Sequence, residues 1–247
     1  HQALCPATRV VIHLEDNEEF LIEAFGGQPA AALRPLPRQA FPFPLVDGLS
    51  HPVRYRQFIR LADAATVIVD RLREFVPAAC PAHLLEPGVD PALYKPAAPD
   101  AQLRRELGLR DGEKVITFTG SVTFANAADL RALYDAVHQL NLDGTPTRLI
   151  RTGITHPDFS RQLGYDPSSF VLELGLRPKA DLPRLLALAD VLVLPGTIGR
   201  FNDYRLPSKL PEFLAMGRPV ILPPTNIGAD LRDGEDALLL RDGTAAE

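Results

Sequence analysis

Pro207-Ser208-Lys209-Leu210-Pro211-Glu212-Phe213-Leu214-Ala215-Met216-Gly217-Arg218-Pro219-Val220 is the stretch whose reading decides the architecture. Ahead of it runs Asp190-Val191-Leu192-Val193-Leu194-Pro195, an apolar run of the kind that a buried parallel strand shows. Pro207 and Ser208 open a helix, with Ser208 at the N-cap and Glu212 within the first turns. Gly217 ends that helix, and Arg218 to Leu222 starts another strand. The unit is strand–helix–strand with a carboxylate near the helix start, where ligands sit in open α/β sheets. Two roles stand open for Glu212. It can accept both hydroxyls of a ribose, as the acidic residue of dinucleotide folds does, or it can simply complement the helix dipole.

Working outward, the second half alternates short apolar runs with helical stretches, which predicts a parallel sheet of about five or six strands. A short helix over Ala101 to Leu107 leads into the strand Lys114 to Thr119, then Gly120-Ser121 and a helix around Asn126 to Leu140. A glycine between strand and helix, with free amides at the helix start, is a ready phosphate site. No GxGxxG occurs there, which disfavours a nicotinamide cofactor. Thr147 to Gly153 and Phe170 to Gly175 are the next two strands with their turns, and Leu182, Leu185, Leu186 and Leu188 form the core face of the following helix. Residues 195–206 read as a cleft loop, and Arg200, Arg205 and Lys209 put three cations close to the helix start. They are phosphate candidates or a solvated basic loop.

The first part is thinner in signal. Arg9 to Leu14 is a strand carrying His13 near its end, followed by the acidic run Glu15-Asp16-Asn17-Glu18-Glu19. A lone histidine at a strand end is more often structural than catalytic. Residues 28–52 carry Pro29, Pro35, Pro37, Pro42, Pro44 and Pro52, and read as a long irregular segment of the sort that is functional, mobile or merely Pro-rich. A helix is expected over His51 to Asp63, a strand over Thr66 to Val69 and a helix over Asp70 to Val76. His83 to Glu86 reads as a strand running into the Pro87-Gly88 turn and Asp90, and Pro91 to Asp100 as an interdomain linker.

PSKLPEFLAMGRPVI, preceded by LADVLVLP and followed by GADLRDGEDALLL, resembles the nucleotide-recognition half of family-4 glycosyltransferases. The resemblance covers residues 60–245 well and the first 60 weakly, and LEPGVD, followed by Pro91, Pro96 and Pro99, is similar to the family's "pGvD…F.P" exit from its first domain. It implies an α/β GT-B fold of two Rossmann-like, doubly wound domains. Residues 1–90 would be a partial, acceptor-side domain, 91–100 the linker, and 101–247 the domain that binds the nucleotide sugar. Carried over residue by residue, it implies that His13 faces the donor sugar as the catalytic residue and that Glu212 holds the ribose hydroxyls. Gly120, Ser121, Ser208 and Lys209 would line the donor site, and backbone near Gly175 and Leu176 would meet the base. Three positions depart from the family pattern. Ser121 and Asn126 stand where an arginine and a lysine commonly hold the diphosphate. Tyr204 stands eight residues before Glu212, where a first glutamate is usual, and Asp203 is the adjacent carboxylate that can take its place.

What the resemblance implies is transfer of a sugar from a UDP- or GDP-sugar to a glycan or lipid-linked acceptor, hexosyl in type, with retention and without a metal. The donor is then a substrate, and no cofactor is implied. The departures keep a second reading open, a non-catalytic sugar-nucleotide-binding or partner module. A third, a sugar-nucleotide epimerase on the same fold, is disfavoured by PSKLPEFLA. Base, sugar, acceptor, linkage and oligomeric state are not encoded legibly.

Composition bounds the rest. The chain has 247 residues, 46% hydrophobic and 23% charged, with a net charge of −5, so nothing points to a polyanion such as nucleic acid as partner. Cys5 and Cys80 have no metal-type spacing and read as reduced thiols of a cytoplasmic protein. No stretch approaches the roughly 18 consecutive apolar residues of a membrane-spanning helix, which leaves peripheral contact with the inner face of a membrane open. With His1 first and Met216 the sole methionine, the chain is expected to be a fragment lacking the start of its first domain and the closing helices of its second.

Overall fold

The structure, a computed structural model, describes residues 7–45, 49–156 and 158–246; Cys5 lies outside them. The chain divides into two compact units. The first runs to Pro87 and takes in Gly199–Leu206, and the second holds Gly88–Ile198 and the chain from Pro207 onward.

The first unit contains β1 (Val11–Leu14), α1 (Glu18–Gly26), α2 (Ala30–Leu33), α3 (Arg54–Ile59), β2 (Ala64–Val67) and β3 (Ala82–Leu84). Its strands form a parallel three-stranded sheet in the order β1-β2-β3, with His13 opposite Thr66. Asn17 caps α1 by accepting from the Phe20 amide, and Gly27 closes it in the left-handed region. The Pro-rich segment is core, not idle loop. Ala30, Leu33 and Phe41 are buried with Ile22, and Leu36, Phe43 and Leu45 pack on them. Each fully buried aliphatic or aromatic side chain contributes about 1.5–3 kcal/mol, enough to offset the ordering of a segment whose prolines already restrict it. Phe43 occupies the space a side chain at position 26 would need, which is why glycine stands there. His51 belongs to this packing rather than to a helix: its ring stacks on Phe41, its Nδ1 accepts from the Val53 amide, and Nε2–H donates to the Leu36 carbonyl. The expected helix over Asp70 to Val76 is a 3-10 segment, Asp70–Phe75.

The second unit contains α4 (Ala101–Glu106), β4 (Lys114–Thr119), α5 (Ala127–Leu142), β5 (Thr147–Thr152), α6 (Phe159–Leu163), β6 (Val171–Glu173), α7 (Leu182–Leu186), β7 (Val191–Val193), α8 (Lys209–Ala215), β8 (Val220–Leu222), α9 (Ile227–Asp230) and β9 (Leu238–Leu239). All six strands are parallel in the order β6-β5-β4-β7-β8-β9. That is a doubly wound sheet whose chain direction reverses between β4 and β7, so the crevice for a ligand opens beyond the carboxyl ends of those two strands. The fold is thus mixed α/β with parallel, Rossmann-like sheets. Val115, Leu149 and Ile150 are wholly buried, as expected of central strands covered on both faces. In α5 the buried positions Leu130, Leu133, Tyr134 and Val137 recur with the helical period.

The segment expected to be a linker is part of this second unit. Pro96 packs 3.1 Å from where a side chain on Gly217 would begin, Arg218 donates to the Ala97 carbonyl at 2.9 Å, and Asp100 caps α4. Tyr94 is 1% exposed. No helix among the described residues is long and apolar enough to cross a membrane.

Candidate functional site

Three glycines stand at the carboxyl ends of neighbouring strands: Gly120 after β4, Gly153 after β5 and Gly175 after β6. The Gly120 amide donates to the Thr152 carbonyl at 3.2 Å and the Gly153 amide to the Gly175 carbonyl at 2.8 Å. Gly153 has φ +96°, and a Cβ there would lie 2.6–2.7 Å from the backbone of Gly120 and Ser121. Only glycine lets these two turns approach so closely.

Beneath them lies a charge that sequence reading passed over. Arg151 is fully buried, and its guanidinium donates to the carbonyls of Gly120 at 3.1 Å and Thr152 at 3.2 Å. Its Nε donates to Glu173 at 2.9 Å, with a second contact to the same carboxylate, and Thr155 and Tyr134 also join the network. Burial raises the Glu173 carboxyl, but bonds from Arg151 and Tyr134 outweigh it and hold it below the usual range. A buried guanidinium this fully bonded fixes the Gly120 carbonyl, and with it the turn above.

Asn126 and Ser121 carry no charge, and the structure shows what they do instead. Asn126 Nδ2 donates to the Ser121 carbonyl at 3.0 Å and Oδ1 accepts from the Thr123 amide at 2.7 Å, while Ser121 Oγ accepts from the Ile154 amide at 3.1 Å. They knit the turn together. The cation near Gly120 comes from α8: Lys209 Nζ lies 3.2 Å, and its Cε 2.7 Å, from where a Cβ on Gly120 would stand. The same ammonium lies 5.9 Å from the Phe118 ring centroid. Ser208 occupies the N-cap position of α8 but makes no side-chain capping bond there.

Glu212 lies in the first turn of α8 with its side chain 16% exposed. Lys179 Nζ stands 4.0 Å from its Oε1 and 6.0 Å from the centroid of the Tyr94 ring. The Tyr94 hydroxyl is buried without a hydrogen-bond partner, and burial, followed by the Glu212 carboxylate, raises its pKa. Leu176, beyond β6, is 72% exposed beside the left-handed Gly175, so this turn is open to a ligand.

The loop 199–206 lies within the span expected to form the second domain but packs with the first unit. Gly199–Leu206 is part of the first unit, where its charges are already paired. Arg200 bonds Glu23 at 2.6 Å, Asp203 accepts from Arg71 at 2.8 Å, and Arg205 lies 4.3 Å over the Phe201 ring. Tyr204 is buried against Phe75. Arg200, Asp203 and Tyr204 find their partners, Glu23, Arg71 and Phe75, far away in sequence, while that of Arg205 lies within the loop. The phosphate and sugar roles expected of Arg200, Arg205, Asp203 and Tyr204 have no support in this packing.

His13 lies at the carboxyl end of β1, bonded through Nδ1 to Thr66 Oγ1 at 2.7 Å, with Nε2 3.6 Å from Glu15. It lines a cavity of about 290 Å³ together with Glu15, Asp16, Glu18, Ser50 and Tyr55. Burial raises the Asp16 carboxyl against the pull of Arg205, and burial raises that of Glu18 against a hydrogen bond from Ser50. The acidic run after β1 was visible in the sequence; its convergence with residues 50 and 55 was not.

Comparison with known proteins points one way. The sequence profile described as glycosyl transferases group 1 matches residues 113–247. A D-inositol 3-phosphate glycosyltransferase of Rhodococcus erythropolis is 28% identical over 169 residues, which are 64% of this chain and 36% of that protein. The chain therefore spans little more than a third of that relative's length. The Anabaena protein HepE, solved in complex with UDP and glucose, superposes with a TM-score of 0.69 at 19% identity, over 99% of this chain and 61% of that one. A UDP-forming trehalose-phosphate synthase from Burkholderia xenovorans, solved with glucose-6-phosphate, gives 0.62 at 14% identity, over 99% and 61%.

Proposed function

Because the chain belongs to the group 1 glycosyl transferases, we propose that its second unit holds a UDP- or GDP-linked sugar as donor for transfer to a glycan or lipid-linked acceptor. The observation that carries this reading is the pairing on α8 of Lys209, whose ammonium reaches Gly120, with Glu212, whose carboxylate is largely buried but reachable. Transfer builds positive charge on the sugar carbon and negative charge on the leaving diphosphate, so the site must offer donors and cations to the phosphates. On this reading Lys209 and the Ser121 amide at the Gly120 turn meet the diphosphate in place of a metal, Glu212 accepts the ribose hydroxyls, and the open turn at Gly175-Leu176 meets the base. His13 acts on the sugar or on its leaving phosphate, and transfer of a hexose proceeds with retention. A lipid-linked acceptor would bring the protein to the cytoplasmic face of a membrane.

The UDP of the Anabaena structure and the UDP-forming activity named for the Burkholderia synthase support a uridine nucleotide as the first to try. Glu212→Ala is expected to weaken UDP binding by at least about tenfold, since two charge-assisted hydrogen bonds are worth roughly 1.5–3 kcal/mol each and 1.4 kcal/mol is a factor of ten. The fold should survive, because a helix-start carboxylate contributes only about 0.3–1 kcal/mol. Titration calorimetry with UDP and GDP checks both; equal affinities in parent and variant would remove the donor site. The neutral, backbone-bonded Ser121 and Asn126 favour one rival, a nucleotide-binding module without catalysis. Release of nucleoside diphosphate on adding a sugar acceptor separates the two.

A further inference from the structure

Tyr94 presents an anomaly that packing does not explain. Its side chain is 1% exposed, and its hydroxyl is one of the few buried polar atoms among the described residues with no hydrogen-bond partner. A buried hydroxyl left unpaired is unfavourable, and apolar phenylalanine would fill the same space without it. The carboxylate of Glu212 acts on that hydroxyl both by its charge and as a nearby hydrogen-bond acceptor, although no bond of full geometry is formed, and its other neighbour, Lys179, stands 4.0 Å away with its own side chain 68% exposed. Lys179 also approaches the Tyr94 ring, 6.0 Å from its centroid. The three side chains come from separate parts of the second unit: the turn at Asp90–Tyr94, the 3-10 segment Lys179–Asp181 and the first turn of α8.

We propose that Tyr94 is a positioning residue for Glu212, its phenol O–H donating to the inner carboxylate oxygen when the carboxylate turns to take the hydroxyls of a bound ribose. A carboxylate has about four lone-pair sites, so one oxygen accepts from Tyr94 and from a ribose hydroxyl together. The phenol is too deeply buried to meet a nucleotide itself, so its effect passes through Glu212. Lys179, on the exposed side, balances the carboxylate's charge without enclosing it. A bound diol completes the set. The inference rests on the donor-site reading of Glu212 and adds to it a residue and a direction of action.

The test is a double-mutant cycle on UDP and 2′,3′-dideoxy-UDP binding with Tyr94→Phe, Glu212→Gln and the pair. Tyr94→Phe deletes one oxygen and should leave the thermal midpoint of the free protein unchanged or slightly raised. It should weaken UDP by about tenfold or more, the low end of one charge-assisted hydrogen bond. The dideoxy analogue should lose less than twofold, and so should UDP in the Glu212→Gln background. A merely structural tyrosine would lower all these affinities together, and that result overturns the inference. If Glu212→Gln weakens UDP while Tyr94→Phe leaves it unchanged, Tyr94 has no positioning role and the donor site stands. If Glu212→Gln leaves UDP binding intact, both fall.

Discussion

The carboxyl end of β1, at the edge of its three-stranded sheet, and that of β4, inside the six-stranded one, both lead from a parallel strand into a turn, yet they are built in opposite ways. Beyond β4 the turn is made of glycine, held by the buried Arg151 and approached by the ammonium of Lys209. Beyond β1 the chain supplies carboxylates, and Glu15, Asp16 and Glu18 line a cavity with His13. One turn is assembled from backbone with cations about it; the other is lined by carboxylates. Both turns follow a parallel strand, and the side chains choose the charge each presents.

Removing the support under the β4 turn should have the largest effect. Glu173→Leu strands Arg151 as a fully buried charge, and the expected loss is about 3 kcal/mol, at the low end for a broken buried pair because the Gly120 and Thr152 carbonyls remain as acceptors. Urea unfolding measures it; a loss below 1 kcal/mol would mean that the turn does not depend on the guanidinium. Next comes the histidine of the acidic cavity. In a chain competent for transfer, His13→Asn should lower turnover by roughly 10²-fold while UDP affinity stays within twofold, as for a group acting on charge that develops in the transition state. Equal turnover would return His13 to a structural role, anchored to Thr66.

A smaller effect separates phosphate from nucleoside. Lys209→Ala should weaken UDP about tenfold and uridine hardly at all, because one charge-assisted contact to the diphosphate is lost. Were both to weaken alike, Lys209 would be holding the turn against Phe118 and not the ligand. The smallest effect lies in the pH dependence of stability. Asp16 and Glu18 have raised pKa values, chiefly through burial, so the folded chain holds protons that the unfolded chain has released. Stability from these groups is therefore lost as pH rises from the ordinary carboxylate range through their raised values. Asp16→Asn and Glu18→Gln should each stabilise the chain slightly at neutral pH, with the gain vanishing below about pH 4. A gain that persists in acid would point to packing rather than charge.

Legibility followed the range of the interaction. The placement of Gly120, Lys209 and Glu212 could be read because it is set by neighbours on the same strand–turn–helix unit: a glycine after a strand, a basic residue and an acid in the first turn of a helix. The α/β class and a six-stranded second sheet were likewise readable, since alternation of apolar runs and helical periods is local. Arg200, Arg205, Asp203 and Tyr204 looked equally well placed by spacing. Arg200 and Asp203 are held by Glu23 and Arg71, 177 and 132 residues away, which no local pattern contains. The Pro-rich segment misled for the opposite reason. Its prolines conceal any period, while Leu33, Phe41 and Phe43 bury themselves against Ile22 and Gly26.

Sequence alone therefore determined the strand–helix–strand unit around Glu212, the parallel sheet that carries it and the family to which such a unit belongs, because backbone propensity and burial period act over a few residues. Tertiary structure alone decided which charges are already consumed within the fold and which still stand at a crevice. Arg151 is spent under a turn, Arg200 on Glu23, and Tyr94 is buried beside Glu212. Pairing of charges depends on distance in space, and a folded chain sets that distance without regard to separation along the sequence.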